Sequence, residues 1–316
     1  MKKYLSPGLC FAFLTALVSG AESEVVFHSD FESDTWFKDW GLDAAARNTQ
    51  IVAKDPDNKF TAHRGKALRI KIAEGNNYGT SLAYRFKKQT GSEPEEIYFR
   101  YYLRLGNDWD PKAGGKLPGF GGTYGRAGWG GRPVSGDDGW SARGLFLTRK
   151  DGKIPVGFYC YHADMKGKYG SHWRWDIEDR GLLENKRCYC IEQYEKMNTP
   201  GKNDGILRAW IDGKPAFEKS DVRMRDTDKL KIELIWFNLY HGGSKATEKN
   251  HHIYLDEVVI SRKPIGIGEG EEVNEIGRIK SLVGQSPRHD RTPSRHSWRA
   301  GRRWCGGLLE IDVGVF

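Results

Sequence analysis

Five polar residues in the middle of the chain carry the side chains best suited to chemistry: Lys116 in GGKLPGFGG, Ser141 and Arg143 in WSAR, and Tyr159 and Tyr161 in FYCYH. The last two segments read as strands. Period-two alternation along a strand puts Ser141 with Arg143 on one face, and Tyr159 with Tyr161 on one face. The result is a cationic strip lined with phenols. An Arg grips a carboxylate through two parallel hydrogen bonds, while a Tyr stacks on a sugar ring or moves a proton. Such a strip suits an acidic sugar chain.

A polymer of 4-linked uronic acids can be broken without water by β-elimination. A base removes the C5 proton, α to the carboxylate; the C4–O bond breaks as a C4–C5 double bond forms; an acid protonates the departing sugar oxygen. The carboxylate must also be neutralised so that the carbanion-like state is less costly. Arg143 and Lys116 suit that task, since a preorganised donor aimed at developing charge is commonly worth about 3 kcal/mol. Tyr159 or Tyr161 suits the proton transfers, under one condition. A Tyr of ordinary pKa is ionised only to about one part in a thousand at pH 7. Either neighbouring cations favour the phenolate, or Lys116 itself is the base with its pKa lowered by like charge. Both routes predict activity that rises with pH. Ser141 has no base beside it and no nucleophile-elbow glycines, so it reads as a hydrogen-bonding, substrate-positioning residue.

The elements that must hold these residues are strands. From Val25 to Arg262 short apolar and alternating runs are separated by Gly, Asp and Asn, with scarcely a helical period. The class is all-β. Strands are expected at 24–29, 66–73, 80–87, 98–105, 142–149, 156–163, 187–196, 230–240 and 252–261. AWIDGKPAF signals a hairpin, with Asp212-Gly213 in the turn. In Tyr98 to Leu105, one face holds Phe99, Tyr101, Leu103 and Leu105. The other presents Arg100, Tyr102 and Arg104, read as further substrate-binding residues. About ten strands without strand-helix alternation favour a jelly-roll sandwich of two antiparallel sheets, one bent into a concave groove. The Gly-rich stretch 113–139 is expected as a loop over or beside that groove.

The ends and the composition set the context. Lys2 and Lys3, an apolar run from Leu9 to Val18 and the small residues Ser19-Gly20-Ala21 read as a signal peptide over 1–21, so export to the periplasm or exterior is expected. That run is about half of a bilayer span, and no membrane span is expected elsewhere. Without the leader the net charge is +6, against +8 for the whole chain. A basic exported protein attracts polyanions; no recognised nucleic-acid motif accompanies the charge, which points to acidic polysaccharide. Residues 22–265 form the expected catalytic domain. Residues 266–316, with six Arg between 288 and 303, read as a disordered basic tail. A monomer is expected.

Export permits disulfides, and one of Cys188 and Cys190 is expected to pair with Cys160, since two residues apart on one strand is too close for an easy bridge. Cys188-Tyr189-Cys190 lacks zinc-knuckle spacing, and no metal or other cofactor is expected. His162 should face away from the tyrosines in a packed role. His251-His252 reads as a surface pair, and His241 is ambiguous.

KLPG in a Gly-rich loop, then S-x-R, then Y-x-Y, in this order and with these gaps, resembles the alginate lyases of polysaccharide lyase family 14 and, more distantly, the glucuronan lyases of family 20. The resemblance covers roughly residues 24–262, including WFNLYHGG and IYLDEVVIS as closing strands. It implies a jelly roll, β-elimination on an alginate-like or glucuronan-like polymer, and a catalytic groove lined by Lys116, Ser141, Arg143, Tyr159 and Tyr161. Two segments depart from the family pattern: TYGRAGWGGRP and KGKYGSHWRWDIEDRG. If they rim the groove, Arg126, Trp129, His172, Trp173, Arg174 and Trp175 would help select the substrate.

Two other readings compete. A glycoside hydrolase on the same fold needs a carboxylate pair, for which Asp176 and Glu178 in DIED are the candidates if they share a strand face. A carbohydrate-binding module would use aromatic side chains on a sheet face without chemistry, but binding alone does not account for Lys116, Arg143 and the two tyrosines together.

Overall fold

The computed structural model describes residues 24–268 and the backbone of 271–273 and 279–281. Its strands, in chain order, begin with β1 (Val25–Ser29), β2 (Thr49–Val52), β3 (Lys54–Asp55), β4 (Phe60–Thr61), β5 (Ala67–Ile72) and β6 (Tyr78–Arg85). Then follow β7 (Glu96–Leu105), β8 (Gly115–Gly122), β9 (Trp140–Phe146), β10 (Ile154–Tyr161), β11 (Ser171–Arg174) and β12 (Leu182–Leu183). The series closes with β13 (Cys188–Lys196), β14 (Gly205–Ile211), β15 (Lys214–Val222), β16 (Leu234–His241) and β17 (His251–Ser261). Among the described residues helix is confined to one short segment, Phe86–Thr90, and 3-10 turns.

Two large antiparallel sheets pack face to face, as expected. The back sheet has the order β15-β14-β13-β7-β17-β5-β2, with β1 added along β17. The front sheet has the order β11-β10-β9-β8-β16-β6, with β12 added along β10. Alternation decides what lies between them. Phe99, Tyr101, Leu103 and Leu105 of β7 are fully buried and share one core with Leu117, Phe120, Phe146, Phe158 and Phe237 of the front sheet. Phe99 and Phe120 meet across the interface with ring centroids 6.3 Å apart. The front sheet's other face carries the polar members of the same strands.

The Asp212-Gly213 turn joins β14 to β15, with positive φ at both residues (52° and 73°) as the hairpin geometry requires. The stretch from 113 onward differs from expectation, because its first part is strand β8 in the middle of the front sheet. Lys116 therefore stands on a strand. Glycine hides that strand in the sequence, since Gly normally weakens strands. Here it is demanded by packing: a side chain at Gly115 would overlap the Phe146 ring and the Tyr240 carbonyl.

Cys160, Cys188 and Cys190 are free, so the expected bridge to Cys160 is not made. The cause is layering. Cys160 points into the core from the front sheet, whereas Cys190 alternates with the core residues Tyr189 and Ile191 and so faces away from it. Among the described residues no helix is long and apolar enough to cross a membrane. Within the segment read as a tail, Glu271–Val273 pairs antiparallel with Ile279–Ser281. Residues 266–268 of that segment are also described, with the Gly266 amide donating to Glu192 Oε2 at 2.9 Å; the remainder of it, Cys305 included, and the 1–21 leader lie outside the described residues.

Candidate active site

The register of the front sheet assembles the site. Arg143 on β9 stands opposite Tyr159 on β10, and Ser141 opposite Tyr161. Tyr159 stands opposite His172 on β11. On the far side, Lys116 of β8 pairs with Tyr240 of β16. These side chains lie on the face turned away from the core. There all of them except Ser141 line a cavity of about 1040 Å³ together with Trp236 and Asn238.

Its charge is one-sided. Arg143 is only 6% exposed. Its guanidinium carbon lies 4.5 Å from the Trp236 ring centroid and 5.7 Å from that of Tyr159, so it is held between two aromatic faces. Nη1 donates to Asn238 Oδ1 at 3.2 Å, while Nε has no partner. Lys116 Nζ sits 4.3 Å from the Tyr159 ring centroid. Among the described residues neither cation forms an ion pair, and no carboxylate lines the cavity. Burial, and then the like charge of Arg143, push the Lys116 ammonium down to about 8. Burial also lowers Arg143, to about 10. The Tyr159 phenol moves the opposite way, raised by burial and then by its hydrogen bond with Tyr161. His172 is lowered by burial and by Lys116.

A cationic, phenol-lined cavity of this form can bind an acidic sugar and exchange protons with it. The family model for Polysaccharide lyase 14 matches residues 61–258, more than half of the chain and all of the cavity's lining. The chain belongs to polysaccharide lyase family 14. Solved structures share the fold of this lyase at low identity. The marine family 14 alginate lyase from Aplysia kurodai has a TM-score of 0.59 at 20% identity, covering 75% of this chain and 99% of its own. Alginate lyase Aly36B has a TM-score of 0.59 at 19% identity, covering 76% and 97%. The endo-β-1,4-glucuronan lyase from the fungus Trichoderma reesei has a TM-score of 0.50 at 16% identity, covering 76% and 96%. No curated protein matches the sequence.

The two unfamiliar segments of this lyase reach the tyrosines through main chain. The Gly131 amide donates to the Tyr161 hydroxyl at 3.0 Å, and the Gly170 amide donates to the Tyr159 hydroxyl at 3.2 Å. Gly170 has no room for a side chain, since a Cβ there would lie 2.8 Å from the Cys160 carbonyl oxygen and 3.1 Å from the Tyr161 ring. Ser141 anchors the first loop: it is fully buried, and its hydroxyl donates to the Gly128 carbonyl at 2.6 Å. It shares the site's face as expected, but the loop covers it, so it supports the wall and does not line the cavity.

Of the side chains expected to rim the groove, Trp129 and His172 line the cavity. Arg126 points outward over the Tyr124 ring. Trp175 is buried against Phe158, with centroids 5.1 Å apart. Trp173 packs beside His162 at 4.9 Å, and exposed Arg174 is not among the lining residues. Arg100, Tyr102 and Arg104 stand on the outer face of the back sheet, because β7 turns its other face to the core. There Arg104 donates to the carbonyls of Lys59 and Lys186, and Tyr102 accepts from the Gly268 amide. The hydrolase pair is absent: Asp176 precedes a 3-10 turn, and Glu178 is an exposed partner of Arg180.

His162 is packed, and its Nε2 meets Ser171 Oγ at 2.9 Å. His241 is buried and bridges the Ala113 amide and the Lys245 carbonyl. His251 is no surface residue, being 1% exposed with its ring 5.4 Å from Trp109. Among the described residues no group of three or more His, Cys, Asp or Glu could hold a metal ion. Sequence reasoning missed Trp236, Asn238 and Tyr240. Their signal was available, since in LIWFNLYH they alternate with the core residues Ile235, Phe237 and Leu239.

Proposed function

We propose that this lyase is exported and cleaves a 4-linked uronic acid polymer by β-elimination, with alginate or polymannuronate the first candidate and glucuronan the next. The observation that carries the proposal is the pair of sheltered cations, Arg143 and Lys116, facing a cavity without a carboxylate. Burying a charge without a partner is costly. A substrate carboxylate supplies the missing counter-charge. The names of the alginate and glucuronan lyases that share the fold point to the same substrate class.

In the proposed mechanism Arg143 holds the carboxylate and stabilises negative charge as it spreads from C5. Lys116 in its neutral form takes the C5 proton, and the Tyr159–Tyr161 pair protonates the departing oxygen at C4. Ionisation decides between the two kinds of base. With a pKa of about 8, Lys116 is neutral in roughly one molecule in ten at pH 7. Tyr159, lying above its ordinary value, is ionised in fewer than about one in a thousand. A phenol that keeps its proton is an acid.

The product contains a C4–C5 double bond conjugated to the carboxylate, which absorbs in the near ultraviolet. Mixing purified protein with alginate, polymannuronate, polyguluronate or glucuronan should raise the absorbance with at least one of them. Flat traces on all four across neutral and alkaline pH would sink the proposal.

A further inference from the structure

We propose that Asn238 is a positioning residue for the reaction: it holds the Arg143 guanidinium in place through a neutral amide and leaves that cation's charge uncompensated for the substrate. This rests on the lyase reading above. Asn238 stands on β16 opposite Ser81 of β6, on the cavity face and 5% exposed. Its Nδ2 donates to the Thr80 carbonyl at 3.1 Å, and its Oδ1 accepts from Arg143 Nη1 at 3.2 Å. A backbone carbonyl accepts only, so the Thr80 contact fixes which end of the amide faces Arg143. Trp236, two residues earlier on the same strand, presents its ring to the guanidinium. One strand thus supplies both an edge and a face to a single cation.

The usual partner of a buried Arg is a carboxylate, which forms a stronger, charge-assisted pair. A carboxylate at this position would also cancel the field that Arg143 exerts. An amide of the same shape fixes geometry without doing so. The groups that meet that field are Tyr78 on β6, Lys116 on β8, Tyr159 and Tyr161 on β10, Tyr169 in the loop before β11, His172 on β11 and Tyr240 on β16; Lys245 is a further cation lining the cavity. Arg143 helps hold Lys116 below its ordinary value, so the identity of residue 238 should be felt at Lys116.

The discriminating variant is Asn238→Asp, with Asn238→Ala beside it. The readouts are the pH profile of kcat/KM from the ultraviolet assay, the pH dependence of Lys116 labelling by an amine-reactive reagent followed by mass spectrometry, and the melting temperature. Asn238→Asp should lower kcat/KM at neutral pH by about 100-fold or more. It should also move both the acid limb and the Lys116 labelling midpoint to higher pH by about one unit. Asn238→Ala should lower kcat with a smaller move of the midpoint. The proposal is overturned if Asn238→Asp keeps the wild-type rate, profile and labelling midpoint, or if both variants lose activity only in proportion to lost folded protein. If the wild type acts on no uronic acid polymer, the lyase reading itself fails; the labelling midpoint, which needs no turnover, still reports on Asn238.

Discussion

The base assignment turns on the pH dependence of kcat/KM, which reports groups of the free enzyme. The perturbation is Arg143→Gln, compared with wild type from roughly pH 6 to 10 under conditions where rate is proportional to substrate. In the wild type, Lys116 at about 8 goes from about 10% neutral at pH 7 to about 90% neutral at pH 9. The rate should therefore rise about tenfold over those two units and then level. A phenolate base would behave differently. With Tyr159 above its ordinary value, the rate would still be climbing about tenfold per unit at pH 9. The sign for the variant follows from the causes. Arg143→Gln removes the like charge, so Lys116 titrates higher, while burial, the larger cause, keeps it below its ordinary value. The limb should shift to higher pH without reaching that of a free lysine. The plateau should fall about 100- to 1000-fold with the loss of a donor to the carboxylate. A wild-type profile still rising steeply above pH 9, or a limb that Arg143→Gln leaves in place, would refute the assignment of Lys116 as base.

Two further predictions come from buried groups away from the reacting atoms. Ser141→Ala leaves the Gly128 carbonyl without its partner, at a cost of about 1–3 kcal/mol. It should lower the melting temperature by several degrees and reduce kcat through the neighbouring Gly131 amide; unchanged kinetics would show that the loop is held otherwise. Glu195 is fully buried on β13 with neither carboxyl oxygen bonded, and burial pushes its pKa well above the ordinary range. The folded state thus keeps a proton that the unfolded chain releases, so stability is greatest below the unfolded pKa and falls by about 1.4 kcal/mol per unit as pH rises towards the folded value. Glu195→Gln should flatten that slope, stabilising more at pH 8 than at pH 5 in denaturant titrations. Parallel slopes for the two proteins would refute it.

The strands were legible where hydrophobic alternation is strong, as in 98–105, and the grouping of Lys116, Arg143, Tyr159 and Tyr161 around one cavity was legible because their types are rare neighbours with a clear joint chemistry. What the sequence hid has physical causes. Glycine in β8 reads as a loop, yet it reflects the close approach of Phe146 and Tyr240. Arg100, Tyr102 and Arg104 present the right chemistry on the wrong side, because alternation assigns a face but does not say which sheet lines the groove. Ser141 points the right way and is then covered by a loop whose path no period announces. Asn238 was passed over because an amide carries no charge, although its strand position was readable from its apolar neighbours.

The amides of Gly131 and Gly170 imply a division of labour between sheet and loops. Charge and, in the proposed mechanism, acidity come from side chains that the front sheet fixes in register, whereas the loops address the phenols through main-chain N–H groups that every residue but proline possesses. The exposed positions of those loops can therefore be rewritten in charge and bulk, reshaping the rim towards one polymer or another, as long as the two amides keep their places.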